Sequence, residues 1–192
     1  MRLVLATRNQ HKLREFRGLL APHELVALPD DVALPPETGD TFEENAREKA
    51  VAARCATGLP AVADDSGIEA ATLGGRPGVR SARYAGEGAS DEENLAKLLA
   101  DVPPDGDRRV AYVCALAYAS PDGEERLFTE RCEGELAHDP RGSGGFGYDP
   151  AFVPLAGDGG RTMAELSVEE KDALSHRGLA ARSFLAWLGG ER

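Results

Sequence analysis

The chain has no apolar run long enough to cross a bilayer. The longest unbroken one, residues 110–119, is half of the roughly 20 residues that a spanning helix needs. It has no basic amino-terminal segment leading into an apolar stretch, so no signal peptide is expected. Cysteine is scarce: Cys55, Cys114 and Cys132 are odd in number and far apart. That spacing fits neither a disulfide framework nor a C-x-x-C metal knuckle, and it suits a reducing cytoplasm. Positive charge is in deficit, with 22 Lys+Arg against 33 Asp+Glu and a net charge of −11. Such a balance lacks the basic stripe that displaces counterions from nucleic acid. Secreted, membrane-bound and nucleic-acid-binding proteins are therefore not expected. What is present is a globular balance, 42% apolar and 29% charged over 192 residues. That is enough for a single domain, 1–192, or two lobes sharing a core, with no need of a disulfide or structural metal.

Strand and helix signals alternate, with no repeat, low-complexity tract or linker. Residues 2–7 read as a short buried strand, and Leu13, Phe16 and Leu20 recur at helical spacing until Pro22 intervenes. Residues 24–28 are a second strand. Thr41 and Glu44 form a capping box for a helix that Gly58 stops. An apolar run, 59–63, ends at Asp64-Asp65-Ser66-Gly67, which reads as the end of a strand. Ser90 with Glu93, and Ser167 with Glu170, are two further capping boxes. Residues 109–119 make the strongest strand, and Pro121-Asp122-Gly123 turns it into an antiparallel partner at 126–133. A last helix carries Leu179, Phe184, Trp187 and Leu188. The order implies a mixed α/β or α+β fold.

Four polar clusters stand where strands end and glycines gather. Thr7 to Lys12 lies between a strand and a helix, where unpaired amides and a positive dipole end favour an anion; read alone, it is also an ordinary Asn cap. Asp64 and Asp65 are adjacent carboxylates, a repulsion relieved by a cation or a raised pKa; both are also common turn formers. Phe146 and Tyr148, set among glycines, can offer flat faces to a base, each stack contributing roughly 1–3 kcal/mol, or they can be core aromatics beside a loop. Lys171, His176 and Arg177 are cations near helix ends, equally suited to solvent. Together they supply what a nucleotide requires: phosphate donors, a carboxylate for metal and water, an aromatic slot and cationic donors for a base edge.

Six motifs then occur in one order: L-A-T-R-N-x-x-K at 5–12, P-E-T-G-x-T-F-x-E-N-A at 36–46, A-D-D-S-G at 63–67, G-x-P-G-V-x-S-A-R-Y at 75–84, G-G-F-G-Y-D-P at 144–150 and E-E-K-x-x-x-S-H-R-G at 169–178. The chain closely resembles the inosine/xanthosine triphosphate pyrophosphatase family, nucleotide-pool enzymes that remove deaminated purine triphosphates. The match runs from Leu3 to the last helix, and Arg8 stands where the family often has glycine. The resemblance implies Mg²⁺-dependent hydrolysis of ITP, dITP and XTP to the monophosphate and pyrophosphate by a cytoplasmic homodimer. It implies an elongated, two-lobed mixed β-sheet flanked by helices, with the active-site cleft between the lobes. By motif match, Thr7, Asn9 and Lys12 would hold the triphosphate, with Arg8, Gln10 and His11 in the same loop. Glu37 and Asp65 would serve the metal, and Asp65 would be the general base with Ser66 beside it. Phe146, Gly147, Tyr148 and Asp149 would form the base slot, and Lys171, His176 and Arg177 would reach the purine edge.

A nucleoside triphosphate carries about four negative charges, so an acidic protein needs a metal ion and local cations to admit it. A general base contributes about 10²–10⁴-fold. Selectivity would come from the purine 6-position, where a donor accepted by a keto oxygen is left unpaired against an amine. Two other readings remain at this stage: the Maf-type pyrophosphatases, which lack the F-G-Y-D and S-H-R segments, and a non-catalytic nucleotide sensor.

Overall fold

The computed structural model describes residues 1–157 and 159–190. Its elements are β1 (Arg2–Leu5), α1 (Gln10–Leu19), β2 (Glu24–Ala27), α2 (Phe42–Thr57), β3 (Ala61–Ala70), α3 (Asp91–Asp101), β4 (Arg109–Ala119), β5 (Glu125–Leu136), β6 (Phe152–Pro154), α4 (Val168–Leu174) and α5 (His176–Leu188). Among the described residues six strands form a mixed sheet, in the order β2-β1-β3-β4-β5-β6, flanked by helices. β1 is parallel to β2 and β3, and β6 is antiparallel to β5. The parallel β1–β2 pair requires a crossover, which α1 provides. β4 is buried along nearly its whole length, as a central strand covered on both faces should be.

Local chemistry explains the boundaries. The Asn9 side chain caps α1 by accepting from the amides of His11 and Lys12. α2, α3 and α4 each open on the capping box legible in the sequence, at Thr41, Ser90 and Ser167. Gly58 ends α2 at φ +67°, a left-handed conformation that costs glycine nothing.

The largest departure from the sequence expectation is β3. It does not stop at Ala63 but carries Asp64, Asp65, Ser66 and Gly67 on to Ala70. Turn-forming residues stay extended here because both carboxylates find cationic or amide partners. Gly67 is required by proximity: a Cβ there would lie 2.4 Å from Ser81 Oγ and 2.6 Å from the Gly78 carbonyl oxygen.

The chain divides into two compact units of interleaved segments. The first comprises Met1–Asp65, Cys114–Glu130 and Arg177–Arg192; the second comprises Ser66–Val113 and Arg131–His176. In the first, Leu3, Leu5, Phe16, Leu20, Leu116 and Phe184 lie in the core. In the second, Ile68, Leu98, Tyr112, Tyr148, Phe152 and Met163 do so. No helix among the described residues is long and apolar enough to cross a membrane.

Candidate active site

The first unit gathers the polar residues of the β1–α1 loop, α2 and β3. The Asn9 backbone amide donates to Thr7 Oγ1 at 3.1 Å, and the Asn9 Oδ1 accepts from the His11 and Lys12 amides at 2.9 and 3.2 Å. Gln10 and His11 are exposed on the first turn of α1. Arg8 turns away from the loop it belongs to. Its guanidinium donates to the carbonyls of Leu28 (3.0 Å), Pro29 (2.7 Å), Asp30 (3.4 Å) and Val32 (2.7 Å). It thereby ties the loop after β1 to the loop after β2.

Successive residues of a strand face opposite sides, so β3 sends Asp64 and Asp65 into different surroundings. Asp64 Oδ2 lies 2.8 Å from Lys12 Nζ and 3.5 Å from Arg177 Nε, and Arg177 also pairs with Glu15 at 3.1 Å. Asp65 Oδ2 accepts from Asn45 Nδ2 at 2.8 Å, and its Oδ1 lies 3.9 Å from Lys49 Nζ. Lys49 also donates to Glu37 and, at 2.7 Å, to the Asp64 carbonyl. Its ammonium therefore bridges the two carboxylates that the resemblance assigns to the metal. Ser66, the next residue of β3, is half-buried in the second unit.

These surroundings pull the two acids apart. Burial works against the Asp64 anion, but Lys12, Arg177 and Lys49 outweigh it and hold the carboxyl well below the usual carboxylate range. At Asp65 burial dominates; Lys49 pulls down, Glu37 pushes up again, and the net pKa is raised. Burial also opposes the Lys49 ammonium, yet Asp64, Asp65 and Glu37 together raise its pKa and keep it charged. Two neighbouring carboxylates in such different surroundings are able to take different roles. Among the described residues no three His, Cys, Asp or Glu side chains form a ready metal cage.

Asn45 and Lys49 were not singled out from the sequence, although a signal existed. Both lie on the face of α2 that buries Phe42, Ala46, Ala50 and Ala53, and they are 1% and 6% exposed. Buried amide and ammonium groups on an apolar helix face require specific partners.

The second unit gathers the aromatic cluster. Asp149 is its centre: Oδ2 accepts from the Phe146 amide at 2.9 Å and from Lys171 Nζ at 2.7 Å, and Oδ1 accepts from the Tyr112 hydroxyl at 3.0 Å. Gly145 must be glycine, since it sits at φ +71° and a Cβ would fall 2.0 Å from Asp149 Oδ2. The Gly147 amide donates to Asp91 Oδ2 at 2.7 Å. Phe146 is half-buried with the Lys171 ammonium 5.4 Å from its ring centroid, while Tyr148 is a core residue whose hydroxyl donates to the Ser81 carbonyl at 2.7 Å. His176, 2% exposed, stacks on Tyr112 at 4.6 Å. Of the three cations at 171–177, Lys171 and His176 thus join this cluster, and Arg177 engages Glu15 and Asp64 in the first unit.

The Ham1 family model matches residues 3–187 of the chain. The chain belongs to the Ham1 family. Family membership bears out the resemblance carried by the six motifs. Among relatives, the dITP/XTP pyrophosphatase of Symbiobacterium thermophilum is 54% identical over 185 residues, covering 93% of this chain and 90% of that protein. The dITP/XTP pyrophosphatase of Geobacter sulfurreducens is 49% identical over 199 residues, covering 99% of each. Among solved structures, the Staphylococcus aureus Ham1 protein matches with a TM-score of 0.87 at 41% identity over 100% of both chains. A HAM1 protein from Coxiella burnetii matches with a TM-score of 0.88 at 40% identity over 99% of both.

Proposed function

We propose that the chain is a Mg²⁺-dependent pyrophosphatase of non-standard purine nucleoside triphosphates (ITP, dITP and XTP), releasing the monophosphate and pyrophosphate and so clearing deaminated purines from the nucleotide pool. The observation that carries this reading is the buried carboxylate pair with separate partners, Asp64 against Lys12 and Arg177, and Asp65 against Asn45 and Lys49, the lysine that also meets Glu37. The names borne by relatives at about half identity over nearly the whole chain support the substrate class.

In this reading the loop at Thr7, Asn9 and Lys12 holds the triphosphate. The Asn9 cap uses Oδ1, so in this reading the side-chain NH2 would donate to a phosphate oxygen. Glu37 and Asp65 would hold the metal. The donor set fits, because Mg²⁺ is commonly bound by one or two carboxylates completed by substrate phosphates and water, not by an all-protein cage. When bound, the ion supplies charge neutralisation of the triphosphate. Asp65 accepts the proton of a water whose oxygen bonds to the α-phosphorus as the bond to the pyrophosphate leaving group breaks. Lys49 keeps Glu37 and Asp65 oriented, and Asn45 fixes one Asp65 oxygen. Asp64 keeps Lys12 and Arg177 in place; any reach of Arg177 toward the purine is part of the proposal. Phe146 offers a ring face to the base, and Lys171 and His176 offer donors suited to a 6-keto group. The proposal extends to a single domain acting as a homodimer in the cytoplasm.

The test is a product assay on ITP, XTP, GTP and ATP, with and without Mg²⁺. Pyrophosphate release from ITP and XTP, strongly reduced for ATP and abolished by chelation, is the expected result. Orthophosphate release, or inert ITP and XTP, would refute the reading.

A further inference from the structure

Tyr112 lies in the middle of β4, inside the apolar run that reads from sequence as plain core. Its ring stacks on Phe152 at 4.3 Å and 22°, and on His176 at 4.6 Å and 15°. Two nearly parallel rings at such distances cannot share one face, so the three form a stack with Tyr112 in the middle. Phenylalanine would fill the same space. The hydroxyl is an added burden in a residue only 6% exposed, since a buried hydroxyl costs stability unless it is hydrogen-bonded. It donates to Asp149 Oδ1 at 3.0 Å, and the other Asp149 oxygen takes the Phe146 amide and the Lys171 ammonium.

We infer that Tyr112 is the positioning residue of the base-reading cluster: its ring sets the plane of the His176 imidazole, and its hydroxyl sets the Asp149 carboxylate that orients Lys171 and the Phe146 backbone. Purine selectivity then depends on a residue that does not itself touch the base. The inference rests on the proposed reading of this cluster as the purine site. It adds a residue that links the imidazole and the ammonium, groups contributed by different segments, in one rigid arrangement. A site whose donors are held in place before the ligand arrives discriminates more sharply than one that must order them on binding.

Tyr112→Phe keeps the stack and removes only the donor. It is compared with wild type, Asp149→Asn and the double variant, reading kcat and KM for ITP, XTP and ATP, the Kd for xanthosine monophosphate by calorimetry, and the melting temperature. A hydrogen bond to a charged acceptor predicts a rise of about tenfold in KM for ITP and in Kd for xanthosine monophosphate. The fall in kcat should be smaller than the rise in KM, and the preference for ITP over ATP should shrink. In the Asp149→Asn background the substitution should add little, because its effect passes through that carboxylate. Unchanged KM and Kd would overturn the inference. So would uniform losses on all substrates that track the melting temperature, an equal effect with and without Asp149, or absence of xanthosine monophosphate binding by the wild type. Failure of the wild type to release pyrophosphate from XTP would instead sink the proposed function, because the Kd reads the positioning role independently of turnover.

Discussion

The first unit surrounds its carboxylates with cations, Lys12 and Arg177 at Asp64 and Lys49 at Asp65, and its geometry is a balance of charges. The second unit surrounds Asp149 with one lysine, one tyrosine hydroxyl and one backbone amide, beside a stack of rings. Both bury acids, but with different partners. Where charges are many and close, small differences in surroundings separate proton affinities, which is what a reaction centre needs. Where one carboxylate organises rigid rings and donors, the product is shape and hydrogen-bond direction, which is what recognition needs. In the proposed function, chemistry belongs to the first region and selectivity to the second. Substitutions in the two should therefore move different kinetic constants.

The largest effect is expected at Asp65. Asp65→Asn preserves size and the contact with Asn45 but removes the base, so kcat for ITP should fall about 10²–10⁴-fold with the melting temperature little changed. The same residue sets the acid limb of the wild-type profile. Its pKa is raised from 3.8 and the base must be ionised, so kcat/KM should fall as pH drops through that raised pKa. A limb at or below 3.8 would contradict the assignment.

Asp64→Asn comes next and should act on stability, leaving Lys12 without its buried counter-charge and Arg177 still paired with Glu15, at a cost of about 3 kcal/mol at neutral pH, read by urea denaturation. The Asp64 pKa is lower folded than unfolded. The stabilisation is therefore present above about 3.8 and is lost as pH falls toward the depressed value, so variant and wild type should converge in acid. Phe146→Ala should raise KM for ITP by the equivalent of roughly 1–3 kcal/mol, with kcat less affected. Arg8→Ala should have the smallest effect, about 1 kcal/mol of stability with KM changed less than about threefold, since its guanidinium serves the 28–32 loop carbonyls. A much larger KM effect would show that Arg8 leaves that loop for the phosphates.

Much of this was legible in the chain. The capping residues Thr41, Ser90 and Ser167 and the stop at Gly58 act through bonds within a few residues, so local sequence suffices. The paired acids and the Phe146–Asp149 segment were visible as chemistry-bearing types in unusual spacing. What escaped was set at a distance. β3 stays extended through Asp64 and Asp65 because Lys12, Lys49 and Asn45, remote in sequence, satisfy both carboxylates and override turn propensity. Lys49 and Asn45 look like solvated positions until their helix face is known. The carbonyls that Arg8 meets lie some 20 residues further along the chain, so its own loop could not reveal them. Tyr112 disappears into an apolar run because periodicity cannot reveal what a hydroxyl will meet. The boundaries of the two units were also illegible, because the chain changes unit inside β3, β4 and β5, where composition does not shift.

The division between the two regions is tested most directly by measuring kcat and KM for XTP in Asp65→Asn, Phe146→Ala and the double variant side by side. The account predicts a fall in kcat for the first, a rise in KM for the second, and effects that add as free energies in the double variant. A rise in KM alone for Asp65→Asn, or a fall in kcat alone for Phe146→Ala, would contradict it.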